Sequence, residues 1–334
     1  MGKQFTRTDT HQHFAALREL KTNFNEQSLA VATKKTYMTG EQQFFQFCAL
    51  FRVHELGNIL PTTEDILCYF ATFLAQSVQH GTIKSYLAAV KHLHFQNNLD
   101  LPLHKFSRLQ YLLRGIKRSQ GTSNYVRKPV TTTHLNLFYN LLQPLHHQSS
   151  QDSKMLWAAI CLAFFGFMRI SEFTCDTAFD KKHHLAASDV TFRPSILKPE
   201  FIQVHLKSSK TDPFRKGILL TIGATNNHLC PVRAMLNYIS ASPKNGPLFV
   251  YKSGKFLKRD NFTQEIRDLL AKGGFEANSY AGHSFRIGAA TMAASANLPT
   301  WLIKTMGRWA SDCYEKYIRT PERTLAEASA KLIQ

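Results

Sequence analysis

The 334-residue chain contains no run approaching the roughly 18 consecutive apolar residues that mark a membrane-spanning helix, so a membrane-embedded protein is not expected. Its first residues, MGKQFTRTDTHQHF, lack the apolar segment of a secretory signal. Met1-Gly2 with Thr6 matches a myristoylation pattern only formally. Cysteine is sparse, and Cys48, Cys68, Cys161, Cys175, Cys230 and Cys313 form no C-x-x-C pair; reduced thiols in an intracellular protein are expected. The 15 histidines include His146-His147 and His183-His184, yet no Cys or His partner stands at zinc-finger spacing, so solvated loop histidines are expected, with neither metal nor other cofactor. The scarcest class is acid: 23 Asp and Glu stand against 41 Lys and Arg, leaving a net charge of +18 and an isoelectric point near 9.7. Such an excess predicts a polyanionic partner, because each cation near a phosphate releases condensed counterions. With no membrane segment, that partner reads as nucleic acid. Hydrophobic residues make up 44% of the chain, enough for two domains with real cores rather than a disordered basic tail.

Residues 1–24 read as a polar tail or one short docking helix, with Phe14, Leu17, Leu20 and Phe24 at helical spacing. Residues 25–118 carry helical periodicity throughout. Tyr37, Phe44, Phe45, Phe47 and Leu50 supply one apolar face, Ile66 to Leu74 a second, Ile83 to Leu93 a third, and Leu109 to Ile116 a fourth. A compact domain of four or five helices follows. Lys34, Lys35, Lys84 and Lys91 lie on its polar faces, with Lys105, Arg108, Arg114, Lys117 and Arg118. These are either solvated helix faces or a DNA-gripping surface, and the net charge favours the latter. Residues 119–128, SQGTSNYVRK, form the candidate linker, and place Arg127 and Lys128 along whatever the two domains would hold.

The second domain, residues 129–334, opens with a helix and then a segment from Met155 to Met168 that is apolar nearly all round and must be buried. It runs into Gly166-Phe-Met-Arg169-Ile-Ser-Glu172. An arginine at the end of a buried helix needs an anionic partner. Glu172 is that partner in a structural reading; in a functional one it orients Arg169 for bidentate contact with a phosphate. Phe201 to Leu206 and Ile218 to Ile222 alternate as strands of a hairpin with a basic tip holding Lys207, Lys210 and Lys216. A short strand is expected at 247–251 and a helix over 263–272. Farther on come His283-x-x-Arg286, Gly307-Arg308-Trp309, and Tyr314 and Tyr317 three residues apart.

In this order, G-x-x-R-x-S-E, a hairpin lysine, H-x-x-R, G-R-W and Lys-Tyr317-Ile-Arg, the motifs resemble the tyrosine recombinase (phage integrase) family over nearly the whole chain. The run M-G-R-W-x-S-D-x-Y-x-x-Y-I-R looks most like recombinases of eukaryotic mobile elements, the DIRS-type and Crypton groups. The resemblance implies a mainly helical protein with a small β-sheet. A helical, SAM-like core-binding domain and a mixed α/β catalytic domain would form a C-shaped clamp on double-stranded DNA. It implies strand cleavage and transfer through a 3′-phosphotyrosine without metal or ATP. Arg169 and Arg286 would hold the phosphate, His283 would assist proton transfer, Lys210 would act as general acid, with Lys207 and Lys216 as rivals because the hairpin register is open, and Tyr317 as nucleophile, with Tyr314 as its rival. The family's His/Trp position falls on Arg308 by spacing and on Trp309 by residue type; Trp309 is expected to pack at the phosphate, with Arg308 and Glu172 in support. It further implies a DNA-bound tetramer assembled through exchange of the C-terminal helix, and nuclear residence if the source is eukaryotic, cytoplasmic otherwise. The competing readings are a catalytically silent, transposon-derived DNA-binding protein, a type IB topoisomerase, and a helix-turn-helix regulator around Asn297-Leu298-Pro299.

Overall fold

A computed structural model describes residues 7–121, 127–142, 150–209, 212, 216–240, 246–320 and 322–333. The chain divides into two compact units, Met1–Asn124 and Tyr125–Gln334.

The first unit is all helical: α1 (Arg7–Gln27), α2 (Val31–Leu50), α3 (Val53–Leu56), α4 (Glu64–Ala75), α5 (His80–Gln96) and α6 (Ser107–Gln120). Its core is the set that the periodicity selects: Phe44, Phe47, Leu67, Phe70, Ile83, Leu87 and Leu109 are all buried. Phe45 and Leu50, expected on the same buried face, are exposed, because Phe44 and Phe47 point the α2 stripe toward α4 and α5. Thr63 caps α4 by accepting from the N–H of Ile66. Buried His94 donates from Nδ1 to Val90 O (2.7 Å) and accepts the Thr62 N–H at Nε2 (2.9 Å), fixing the entry to α4. The segment expected as a tail or docking helix is α1, whose Phe14, Leu17, Leu20 and Phe24 are exposed.

The second unit contains α7 (Thr132–Leu142), α8 (Gln151–Phe165), a three-stranded antiparallel sheet in the order β1 (Val190–Pro194), β2 (Pro199–Leu206), β3 (Ile218–Gly223), then α9 (Pro231–Ile239), α10 (Arg259–Lys272), α11 (Gly282–Ser295), α12 (Thr300–Gly307) and α13 (Glu322–Ala330). As its composition requires, α8 is buried on every side from Met155 to Phe164. The hairpin register pairs Val204 with Leu220 and Ile202 with Ile222, which sends Ile202, Val204 and Leu206 into the core. β1 escapes the sequence reading because it is short and ends in Pro194; Val190 and Phe192 are its only buried residues. The strand expected at 247–251 reduces to a single bridge between Val250 and Phe256. The Tyr238 hydroxyl accepts the Val250 N–H (3.0 Å) and donates to Leu248 O (2.9 Å), occupying groups a ladder would have used. No helix among the described residues is long and apolar enough to cross a membrane.

Candidate active site

Arg169, Arg286 and Arg308 gather around one carboxylate and three backbone carbonyls. The convergence begins at the end of α8. There the N–H of Phe167 reaches Phe164 O (3.1 Å) and that of Met168 reaches Ala163 O (3.0 Å), a Schellman closure. Such a closure needs a left-handed residue, and Phe167 takes it with φ of 48° although it is not glycine, at a cost of about 1–2 kcal/mol. The chain then turns sharply into the short 3-10 helix Ile170–Glu172, with Arg169 at its cap.

Glu172 is buried and uses both oxygens. Oε1 accepts from Arg169 Nη1 (2.9 Å); Oε2 accepts the Arg169 backbone N–H (2.9 Å) and Arg308 Nη2 (2.7 Å). Arg308, left-handed at the end of α12 with φ of 56°, also donates from Nη1 to Gly166 O (2.9 Å) and from Nη2 to Phe167 O (3.1 Å). Arg286, on α11, donates from Nη1 to Phe167 O (2.6 Å) and from Nη2 to Gly307 O. Its guanidinium carbon lies 4.2 Å from the centre of the Trp309 ring. Gly307 is required there, since a Cβ would fall 1.7 Å from that ring. Burial pulls the Arg286 guanidinium down to about 10, and the charges of Arg169 and Arg308 push the same way; it stays charged at neutral pH. Burial lowers Arg308 too, against the opposing charge of Glu172.

Three guanidiniums thus face one carboxylate, leaving the cluster with an excess of positive charge. The Nε–H groups of Arg286 and Arg308 are buried without a hydrogen-bond acceptor among the described residues. Leaving such a donor unmet costs about 1–3 kcal/mol each, so the cluster suits an oxyanion. Of the three arginines, Arg169 has the most open side chain, at 14% exposure against 5% for Arg308; Arg286 as a whole residue is fully buried.

Tyr317 stands beside this cluster at the end of the 3-10 helix Asp312–Tyr317. Its ring centre lies 5.2 Å from Trp309 and 6.2 Å from His283, nearly parallel to the imidazole, and 5.6 Å from the Arg286 guanidinium carbon. Tyr317 is half-buried and His283 exposed, whereas Tyr314 is buried against Trp309 with Lys304 near its ring (5.6 Å). Thr291, a residue that sequence reasoning passed over, anchors this segment: its hydroxyl donates to Tyr317 O (3.3 Å) and accepts the Arg319 N–H (3.0 Å). His283 is placed by Gly282, where a Cβ would fall 2.0 Å from Ile170. The structure therefore brings Arg169, Glu172, His283, Arg286, Arg308, Trp309 and Tyr317 together.

Lys210 lies outside the described residues. Its rival Lys207 is paired with Asp189 (2.5 Å) and donates to His184 O (3.2 Å), while Lys216 is exposed. Asp212 accepts the N–H groups of Lys216 (3.1 Å) and Gly217 (2.8 Å) across the hairpin tip. Lys34, Lys35, Lys84 and Lys91 are exposed on α2 and α5 of the first unit. Arg127 and Lys128 are tied within the second unit, Arg127 to Asn278 O (2.8 Å) and Lys128 to Glu276 (3.0 Å). Among the described residues no group of three or more His, Cys, Asp or Glu is placed to hold a metal ion.

No protein-family profile matches the chain. It is 23% identical over 297 residues, 86% of this chain and 81% of the relative, to an integrase/recombinase xerD homolog of Selenomonas ruminantium. Among solved structures it is similar to the XerH site-specific recombinase bound to a palindromic difH substrate, with TM-score 0.60 and 14% identity over 90% of this chain and 80% of that one. It is also similar to the Tn1549 transposon integrase in complex with circular intermediate DNA, with TM-score 0.57 and 15% identity over 94% and 98%. A lambda integrase dimer bound to a COC′ core site gives TM-score 0.55 and 10% identity over 93% and 96%. Helical first unit, small antiparallel sheet and helical surround alike, the chain has the tyrosine recombinase fold over nearly its whole length.

Proposed function

We propose that the chain is a site-specific recombinase, or integrase, that cleaves and rejoins double-stranded DNA through a 3′-phosphotyrosine on Tyr317. The observation that carries this is the placement of one half-buried phenol against His283 and Trp309, beside a buried three-arginine cluster with excess positive charge. A phosphodiester repels nucleophiles with its own charge, and fixed cations around its non-bridging oxygens remove that barrier. Arg169, planar and partly open, takes one such oxygen; the unpaired N–H of Arg286 accounts for another. The Tyr317 oxygen forms the bond to phosphorus, the bond to the 5′ oxygen breaks, and that oxygen takes a proton from Lys210. His283 assists removal of the phenol proton. A 5′ hydroxyl of another strand then attacks the phosphotyrosine and releases Tyr317. The covalent link conserves the bond energy, so this chemistry calls for neither ATP nor metal. The net charge of +18 and the exposed lysines of α2 and α5 suit a DNA partner.

On the same reading the protein acts as a tetramer on DNA. The second unit carries an apolar hollow of about 340 Å³ lined by Phe164, Phe165, Met292, Leu298 and Met306. It also carries the exposed Leu325 of α13 and the exposed Leu332 just beyond that helix. A neighbouring protomer's C-terminal helix filling that hollow would remove both apolar surfaces from water. The Met306–Arg319 run further suggests a mobile-element recombinase of the DIRS-type or Crypton group, and nuclear residence with it.

The test is covalent trapping. The purified protein is incubated with a pool of nicked duplexes in EDTA, then denatured. Protein carrying DNA on the Tyr317 peptide is expected. Tight, salt-sensitive DNA binding with no adduct would leave a silent DNA-binding descendant.

A further inference from the structure

Three helices of the second unit end in left-handed residues that are not glycine, and two of these ends, Phe167 after α8 and Arg308 after α12, are bonded to each other through Arg308 Nη2 and Phe167 O (3.1 Å). The same Phe167 oxygen accepts from Arg286 Nη1 (2.6 Å). The Phe167 ring is buried and meets Trp309 edge-on at 6.0 Å, and Trp309 in turn underlies Arg286. We infer that Phe167 is a positioning residue: its left-handed backbone aims one carbonyl at both Arg286 and Arg308 and so sets where the arginines stand relative to the reacting phosphate. Phe167 touches neither phosphate nor phenol in this role.

A carbonyl's direction follows the backbone angles of its own residue, and rotation of Phe167 out of the left-handed region swings the oxygen away from both guanidiniums. Arg286 then keeps one backbone acceptor, Gly307 O, and is free to pivot on it. Arg308 keeps Gly166 O and Glu172, but Glu172 also holds Arg169, so displacement of Arg308 is passed to the arginine that faces solvent. A glycine in the same place would serve the turn without strain; the phenylalanine ring packs edge-on against Trp309, and the bracing rests on the backbone carbonyl.

This inference rests on the recombinase reading for its kinetic test and is independent of it for its structural one. Glycine and asparagine adopt the left-handed conformation, whereas a β-branched residue resists it. The probe is a nicked duplex recovered from the trapping pool. In single-turnover cleavage, F167G and F167N are expected to retain activity within about tenfold of wild type, and F167V to lose about a hundredfold or more, the scale of one misplaced oxyanion donor. On a duplex with a methylphosphonate at the scissile position, which removes the charge the arginines must neutralise, the F167V deficit is expected to shrink. F167V cleaving like F167G, or losing equally on both substrates, overturns the inference. A second measurement needs no activity: in urea unfolding, F167V and R308A are expected to shift the midpoint non-additively because they break the same bond. Additive shifts overturn the bracing role. Non-additive shifts in a wild type that forms no adduct would sink the recombinase reading and leave the bracing intact.

Discussion

Glu172 holds Arg169 at both ends of the residue, accepting the backbone N–H at one oxygen and Nη1 at the other, each at 2.9 Å. A carboxylate tied to main chain and side chain together leaves the guanidinium little freedom to turn, which is what bidentate recognition of a phosphate requires. The oxygen that takes the backbone N–H also anchors Arg308. E172Q keeps the shape but removes the charge and turns one acceptor into a donor facing the guanidinium of either Arg169 or Arg308. We expect adduct formation to fall by about 10²–10³, the range for losing one preorganised charge contact. DNA binding should change little, because most of it comes from phosphates outside the cleaved position. Quantitative trapping beside a filter-binding titration checks this; equal losses in both would place Glu172 in binding instead.

Tyr314 and Tyr317 are told apart by burial. In a 3-10 helix residues three apart eclipse one another, so spacing alone leaves both on one face. Tyr314 is buried beside Trp309, while Tyr317 is half-open next to His283. Y317F is expected to abolish the adduct with no loss of stability. Y314F is expected to keep it, at a cost of about 1 kcal/mol or less in unfolding free energy, since it removes only a hydroxyl. Peptide mapping of trapped protein from each variant decides the assignment.

Much of this was legible because periodicity and chemistry agree. The buried faces of α4, α5 and α8 follow from spacing, and Arg169, Glu172, His283, Arg286 and Tyr317 stand in motifs whose order is informative. What was not legible depends on tertiary contact. Phe167 looks like a core aromatic, and nothing local says that its carbonyl serves two arginines from distant segments. Arg308 and Trp309 competed for one role by spacing and by type. In the folded chain their tasks differ, with Arg308 turned inward on Glu172 and Trp309 lying under Arg286. Val190–Pro194 was too short to register against the hairpin beside it.

His134 makes the second unit sensitive to acid. Its Nδ1 accepts the Thr131 N–H (3.0 Å), so Nε2 carries the proton and donates to the Tyr280 hydroxyl (2.8 Å). Burial lowers its pKa below the ordinary 6.5. The unfolded chain therefore takes up a proton that the folded one resists. Stability is complete above about pH 6.5 and declines as pH falls toward the folded value, by at most about 1.4 kcal/mol per unit. Urea unfolding at pH 7.5 and 5.5 should show this decline, and H134Q should flatten it. An equal slope in H134Q would assign the effect to other groups.

Leu325 of α13, Leu332 beyond it and the hollow lined by Phe164, Met292 and Met306 belong to one assembly hypothesis. Charging the helix, with L325D and L332D together, should leave folding intact because both side chains are exposed. Light scattering of the DNA complex is expected to show tetramer for wild type and smaller species for the variant. Tetramer in both would remove the C-terminal segment from the interface.

In the proposed mechanism a hairpin lysine protonates the leaving oxygen. Lys207 is already committed, paired with Asp189 at 2.5 Å and bonded to His184 O. K207A should therefore act on stability, by about 1–3 kcal/mol for partners left unmet. K210A should act on chemistry alone, since a missing general acid costs about 10²–10⁴ in rate when the departing group is an alkoxide. The two effects separate on a duplex whose 5′ bridging oxygen is replaced by sulfur. A thiolate leaves without a proton, so the K210A defect should largely vanish on that substrate, while any K207A defect persists. If sulfur rescues K216A and not K210A, the general acid is Lys216, and the hairpin tip held by Asp212 presents a different residue to the DNA.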